Sequence, residues 1–161
     1  MVNLQFITHN EAQTEALGAI IAKYAKQPGF ILLQGALAAG KTTFTRYLAN
    51  ALQISAVVNS PTFVIMNEYV IPKQSFKLIH MDAYRLNNDE DLEMYEEAFN
   101  NNLNIIEWYE NVLQIIDFNN ALILQWKIID DTTRVINLSG KGLLATQVIK
   151  FLQDNDLNVK C

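Results

Sequence analysis

Apolar positions along the chain follow two periods, and the change from one to the other marks its elements. Leu4, Phe6 and Ile7 make a short strand-like run, and Thr8-His9-Asn10-Glu11 has capping-box spacing, with His9 as part of the cap. Ala12, Ala16, Ile20, Ile21 and Tyr24 then recur at helical spacing and predict an inward face, ended by Pro28-Gly29. Phe30 to Gln34 is a short apolar run of the kind buried on both sides of a sheet. After Gly35 to Gly40 a second helix is predicted, with Phe44, Tyr47, Leu48, Ala51 and Leu52 on its inner face. Phe63–Ile71 and Phe76–Met81 flank Pro72-Lys73-Gln74 and predict a hairpin. Asn87 to Phe99 predicts a helix with an acidic, solvated start, and Leu103 to Trp108 another buried strand. A second hairpin is expected from Ala121–Ile129 and Arg134–Leu138, across Asp130-Asp131-Thr132. Ser139-Gly140 then breaks the chain before an amphipathic helix, Leu143 to Leu152.

Strands alternating with helices, followed by hairpins, predict an α/β fold with a mostly parallel central sheet and antiparallel hairpin elements. No repeat, low-complexity tract or linker interrupts the pattern, so residues 1–161 read as one domain.

Composition narrows the chemistry more than the fold. At 161 residues the chain can bury a core without metal or disulfide staples. Its one cysteine, Cys161, excludes a disulfide framework and a cysteine-based zinc site. Twelve basic against 17 acidic residues give a net charge of −5, which argues against a broad basic face for nucleic acid. Met1–Gln5 lacks the basic-then-apolar pattern of a secretory leader, and no apolar stretch approaches membrane-helix length, so the expected compartment is the cytosol.

The most specific local pattern is Gly35-Ala36-Leu37-Ala38-Ala39-Gly40-Lys41-Thr42, which matches the phosphate-binding loop G-x-x-x-x-G-K-[ST] between an apolar strand and a helix. Backbone N–H groups at such a loop form a nest for phosphate oxygens, capped by a helix N-terminus. Lys41 would place a point charge on the β- and γ-phosphates, and the Thr42 hydroxyl would ligate Mg²⁺. The ligand expected is a nucleoside triphosphate.

Such a loop needs a strand-end carboxylate for the metal, and two residues qualify by position: Asp82, after Leu78-Ile79-His80-Met81, and Glu107, after Leu103-Asn104-Ile105-Ile106. Spacing alone does not rank them, and a capping role is open for each. Ser60-Pro61-Thr62 lies where phosphate-loop proteins carry a γ-phosphate-sensing hydroxyl, and a plain turn fits it equally well. His80, inside an apolar strand, reads as a core histidine, and Trp108 and Trp126 as core residues, although Trp108 follows a candidate carboxylate.

Together the phosphate loop, Ser60-Pro61-Thr62-Phe63, His80-Met81-Asp82-Ala83-Tyr84-Arg85-Leu86 and Ile106-Glu107-Trp108 resemble the bacterial TsaE (YjeE) family, ATPases required for making threonylcarbamoyladenosine in transfer RNA. The resemblance spans about Glu11 to Trp108 and implies a phosphate-loop NTPase fold. It further implies ATP bound with Mg²⁺, weak turnover alone, and a heterodimeric TsaB–TsaD partner. By that analogy Thr42 and Glu107 would hold Mg²⁺, and Asp82, Lys41 and Thr62 would serve hydrolysis. Glu11, Ala38, Ala39, Gly40, Lys41, Thr42, Thr43 and Trp108 would contact the nucleotide. The family loop usually reads G-D-L-G-A-G-K-T, whereas here Ala36 stands for the acidic residue and Ala38 for a glycine. Ala38 is mild at negative φ and strained in a left-handed conformation.

Three other classes share the loop. A small-molecule kinase would use arginines to clamp substrate, and only Arg46, Arg85 and Arg134 exist here. A GTP-driven switch would carry N-K-x-D and D-x-x-G, and neither is present. A nucleotide-gated interaction module with little hydrolysis fits the altered loop.

Overall fold

The computed structural model describes residues 3–157 and 159–160; Met1, Val2, Asn158 and Cys161 lie outside the described residues. In chain order the strands are β1 Leu4–Thr8, β2 Gly29–Gln34, β3 Met66–Val70, β4 Lys77–Asp82, β5 Leu103–Glu107, β6 Ala121–Ile128, β7 Arg134–Lys141 and β8 Val159–Lys160. The α-helices are α1 Glu11–Tyr24, α2 Lys41–Ala51, α3 Glu93–Phe99 and α4 Leu143–Asp154. Three single-turn 3₁₀ helices, Tyr109–Asn111, Leu113–Ile115 and Phe118–Asn120, join β5 to β6.

The described residues form one eight-stranded sheet in the order β3-β4-β5-β2-β6-β7-β1-β8. Pairing is parallel through β4, β5, β2 and β6 and antiparallel on both flanks, the mixed sheet that the pattern predicts. β2 is at the centre because it is apolar on both sides. Ile31 and Leu33 join the core under α1, α2 and α4, while Phe30 and Leu32 join a second core under α3 and the 3₁₀ turns. Fully burying Phe44 and Leu48 of α2 in the first core stabilises its docking by about 2–3 kcal/mol each.

Several predicted boundaries shift, each for a local reason. The N-cap of α1 is Asn10, whose side chain accepts from Gln13 N at 3.0 Å, not Thr8 with Glu11. The Gln13 side chain in turn accepts from His9 N at 2.6 Å, so the reciprocal cap is displaced by two residues. The helix buries Thr14, Leu17, Gly18, Ile21 and Ala22, and leaves Ala12 and Ala16 exposed. Alanine tolerates either environment and so misplaces the inner face. α2 likewise buries Lys41, Phe44, Thr45, Leu48 and Ala49 rather than Ala51.

β3 begins only at Met66. Phe63 and Val64 are exposed in a turn closed by Ile65 N donating to Pro61 O at 2.6 Å. Residues 87–92 precede α3 rather than belong to it. Asn87 and Asp91 accept from the backbone two residues on, at 2.9 and 3.1 Å, and these Asx turns compete with helix. β7 runs through Ser139-Gly140 to Lys141 and is not broken there. Gly140 sits at φ 142° where a Cβ would lie 2.1 Å from Ala121 O, so the residue that reads as a break is instead a close strand approach.

Candidate active site

Parallel strands β2, β4 and β5 end together, and the register Asp82↔Glu107 and Leu33↔Glu107 puts both candidate carboxylates beside the loop that leaves β2. Gly35–Gly40 turns from β2 into α2 with Gly40 at φ 113°, a left-handed conformation that glycine adopts without strain. Ala38 has φ 61°, so this alanine is in the strained, left-handed conformation. A cavity of about 350 Å³ is lined by Leu37–Thr43 together with Ser60, Thr62, Asp82, Glu107 and Trp108.

Lys41, in the first turn of α2, is buried. Its ammonium donates to the Gly35 carbonyl and, at 3.4 Å, to Ala36 O, and lies 4.2 Å from the centre of the Trp108 ring. Burial pushes the Lys41 pKa below its ordinary value, against the raising fields of Glu107, Glu110 and Asp82. Trp108 itself is left-handed, at φ 60°. It is held there by Trp108 N donating to Leu33 O at 3.2 Å and by edge packing on Tyr84 at 5.0 Å.

The structure separates the two carboxylates by their partners. Glu107 is 3% exposed, and its Oε1 accepts from Thr42 Oγ1 at 3.1 Å. Its Oε2 lies 2.7 Å from His80 Nε2. Asp82 instead accepts from Thr62 Oγ1 at 3.1 Å and from Tyr84 N at 3.0 Å. Thr62 is bonded in turn to Ser60 Oγ at 2.7 Å, so the segment before β3 is tied to the end of β4. Ile65 N donates to Pro61 O and Ile65 O accepts from Asp82 N at 2.8 Å, while Ile65 sits at φ 69°, an outlier for a β-branched residue. The Arg85 guanidinium covers the exposed Phe63 ring at 5.0 Å.

Comparison with known proteins gives this arrangement its lineage. The family model described as "Threonylcarbamoyl adenosine biosynthesis protein TsaE" matches residues 8–136. The chain belongs to the TsaE family. It is 40% identical over 112 residues to the tRNA threonylcarbamoyladenosine biosynthesis protein TsaE of Bacillus subtilis, covering 67% of this chain and 68% of that one. With the protein of the same name from Aquifex aeolicus it shares 35% identity over 139 residues, 85% and 96% of the two chains. Among solved structures, the crystal structure of Bacillus subtilis YdiB superposes with a TM-score of 0.77 at 28% identity. That alignment covers 96% of this chain and 97% of the other.

The TsaE-family motifs thus meet in one cavity, although they span more than 70 positions of sequence. Of the residues predicted for the site, Ala38, Ala39, Gly40, Lys41, Thr42, Thr43, Thr62, Asp82, Glu107 and Trp108 line it. Glu11 does not. It lines an adjoining cavity of about 400 Å³ that shares Ala38, Ala39, Gly40 and Thr43 and adds Trp126, Asp131, Thr132 and Arg134. Glu11 accepts from Tyr47 OH at 2.9 Å, and that bond raises the phenol pKa. Trp126 is buried against Phe44, with ring centres 5.3 Å apart, and serves the core while forming a wall of this second cavity.

Two contributors were missed from sequence. Arg134 Nε donates to Ala39 O at 3.2 Å, tying the β6–β7 hairpin to the phosphate loop. No periodicity signals that contact. His80 is not a generic core histidine, because the polar partner of its ring is Glu107. Its signal was available: His80 and Asp82 alternate onto the same face of one strand.

Proposed function

We propose that the protein binds ATP with Mg²⁺ and hydrolyses it as an accessory of threonylcarbamoyladenosine formation in transfer RNA, acting with a TsaB–TsaD type heterodimer. One observation carries this reading. The cavity of the phosphate loop also contains Glu107 paired to Thr42 and Asp82 paired to Thr62, so phosphate-binding and water-handling groups face one space. The shared role in transfer-RNA modification is carried by the family and by the names of the relatives.

The donor set fits magnesium. Thr42 Oγ1 and the Glu107 carboxylate are hard oxygen ligands 3.1 Å apart beside the loop, and Mg²⁺ takes few protein oxygens together with phosphate and water. When bound, the ion neutralises charge on the β- and γ-phosphates. The chain supplies the rest. Amides at the start of α2 and the Lys41 ammonium hold phosphate oxygens, and Lys41 would exchange its bonds to Gly35 and Ala36 carbonyls for bonds to the triphosphate. Asp82, steadied by Thr62 and Tyr84 N, orients a water for in-line attack on the γ-phosphorus. The new P–O bond forms as the bond to the β-phosphate oxygen breaks, releasing ADP and phosphate. Trp108 roofs Lys41. The adjoining cavity with Glu11 and Arg134, of about 400 Å³, would take the nucleoside.

A net charge of −5 favours reaching transfer RNA through the protein partner rather than by direct broad contact. A nucleotide-gated module with little turnover is favoured by one feature, the absence of a carboxylate at Ala36 beside the phosphates. The deciding experiment is ATP turnover with and without a TsaB–TsaD heterodimer and transfer RNA, on the natural chain, Lys41→Ala and Ala36→Asp. We expect partner-stimulated turnover that Lys41→Ala reduces by at least about 100-fold, the scale of losing a charge that stabilises the transition state. Tight nucleotide binding with no turnover, regained in Ala36→Asp, would establish the gated module instead.

A further inference from the structure

His80 is 0% exposed in the middle of β4, on the sheet face that also carries Asp82, Ile105 and Glu107. Its ring has one polar partner. Nε2 lies 2.7 Å from Glu107 Oε2, and Nδ1 is buried with none. An ionised carboxylate only accepts hydrogen bonds, so Nε2 carries the hydrogen and donates it. The unpartnered Nδ1 is a buried polar atom left unsatisfied, a cost that a leucine of similar size would avoid. Stability therefore does not account for an imidazole here, and its polar contact serves Glu107.

Glu107 divides its two oxygens accordingly. Oε2 is the nearer to His80, and Oε1 the nearer to Thr42 Oγ1, at 3.1 Å against 3.4 Å for Oε2. A carboxylate on a bare strand end could rotate about its terminal torsion, which is broad and shallow. The bond from His80 removes that freedom. We propose that His80 is a positioning residue: its Nε2–H holds Glu107 Oε2, so that Oε1 stays beside Thr42 Oγ1 to receive the divalent cation. The proposal rests on the magnesium–nucleotide reading given above, and it assigns to His80 the outer-sphere role by which hydrogen bonds orient metal-binding carboxylates.

The test reads metal binding apart from turnover. Mn²⁺ binding to the protein saturated with a non-hydrolysable ATP analogue is followed by electron paramagnetic resonance, and nucleotide affinity is measured separately in EDTA. His80→Leu should weaken Mn²⁺ binding about 10- to 100-fold, the usual effect of losing an outer-sphere partner, with nucleotide affinity in EDTA unchanged. His80→Gln, whose amide nitrogen reaches close to the position of Nε2, should recover most of the loss; His80→Asn, which is too short, should not. That pair keeps the core polar and decides the matter even where the leucine variant does not fold. In a Glu107→Gln background, His80→Leu should cause no further loss, because its effect passes through that carboxylate. Wild-type Mn²⁺ affinity in His80→Asn alongside weakened binding in Glu107→Gln would overturn the role of His80 and leave the magnesium reading standing. Equal losses in His80→Gln and His80→Asn, or a loss already present in EDTA, would mark His80 as merely structural and also overturn it. Absence of Mn²⁺ binding to the natural chain with nucleotide would overturn the magnesium reading itself.

Discussion

Lys41 carries a charge in a place that disfavours it. Burial lowers its pKa from the ordinary 10.5, and the neighbouring carboxylates offset only part of that. With a folded pKa below the unfolded one, the folded state binds fewer protons in the window between them, so Lys41 costs stability below its folded pKa and the cost fades as pH rises toward 10.5. Bound phosphate reverses the balance, because it favours the ammonium. Affinity for ATP should therefore decline as pH rises through the lowered lysine pKa, earlier than an ordinary lysine would allow. Fluorescence titrations carried up to the ordinary lysine value of 10.5 should show the decline in the natural chain and a shallower one in Lys41→Arg, whose guanidinium stays charged. A flat natural profile would contradict the role given to Lys41. This residue and Thr42 were legible from spacing alone, since the loop pattern is local. The ranking of Asp82 and Glu107 was not, because their difference lies in partners, His80 and Thr42 for one and Thr62 for the other.

At the scale of elements, the phosphate loop is the place where sequence and conformation disagree. Ala38 at φ 61° costs about 1–2 kcal/mol relative to a residue free to be left-handed. Ala38→Gly relieves that strain and loses part of the gain to greater freedom in the unfolded chain. The net expectation is a stability increase of about 0.5–1 kcal/mol, read as a higher urea midpoint at constant slope. A lower midpoint would mean that Ala38 does not occupy the left-handed conformation in solution. Other element-scale differences have equally local causes. The helix expected from Asn87 is pre-empted by Asx turns at Asn87 and Asp91, and the strand expected from Phe63 starts late because the Pro61–Ile65 turn ties it to Asp82. Both segments are apolar or charged in patterns compatible with regular structure; side-chain-to-backbone bonds decided against it in the first, and a backbone-bonded turn in the second.

For the whole molecule, strand order does the assembling. β4, β5 and β2 are adjacent although residues 34, 82 and 107 are far apart in sequence, so three strand ends deliver the loop and two carboxylates to one cavity. The two cores on opposite sides of β2 hold that order, which couples the site to global stability. ATP with Mg²⁺ at 100 times its Kd should stabilise the fold by about 2.7 kcal/mol and raise Tm by about 5–10 °C for a domain of this size. EDTA should diminish the shift, and Lys41→Ala should abolish it. A thermal melt that ignores MgATP would count against the nucleotide site. Among the described residues no helix is long and apolar enough to cross a membrane.

By itself the amino-acid order determined the α/β class, the two hairpins, the phosphate loop and the family likeness. Each of these is written in local periodicity or in contiguous motifs, where neighbours in sequence are neighbours in space. Tertiary structure alone decided that Glu107 takes Thr42 and His80, that Asp82 takes Thr62, that Arg134 reaches Ala39, and that Ala38 is left-handed. The partner choices depend on strand order, register and packing between segments distant in the chain, and short-range patterns do not encode which of several possible partners a side chain will meet; the Ala38 dihedral is local, but the residue type alone does not announce it.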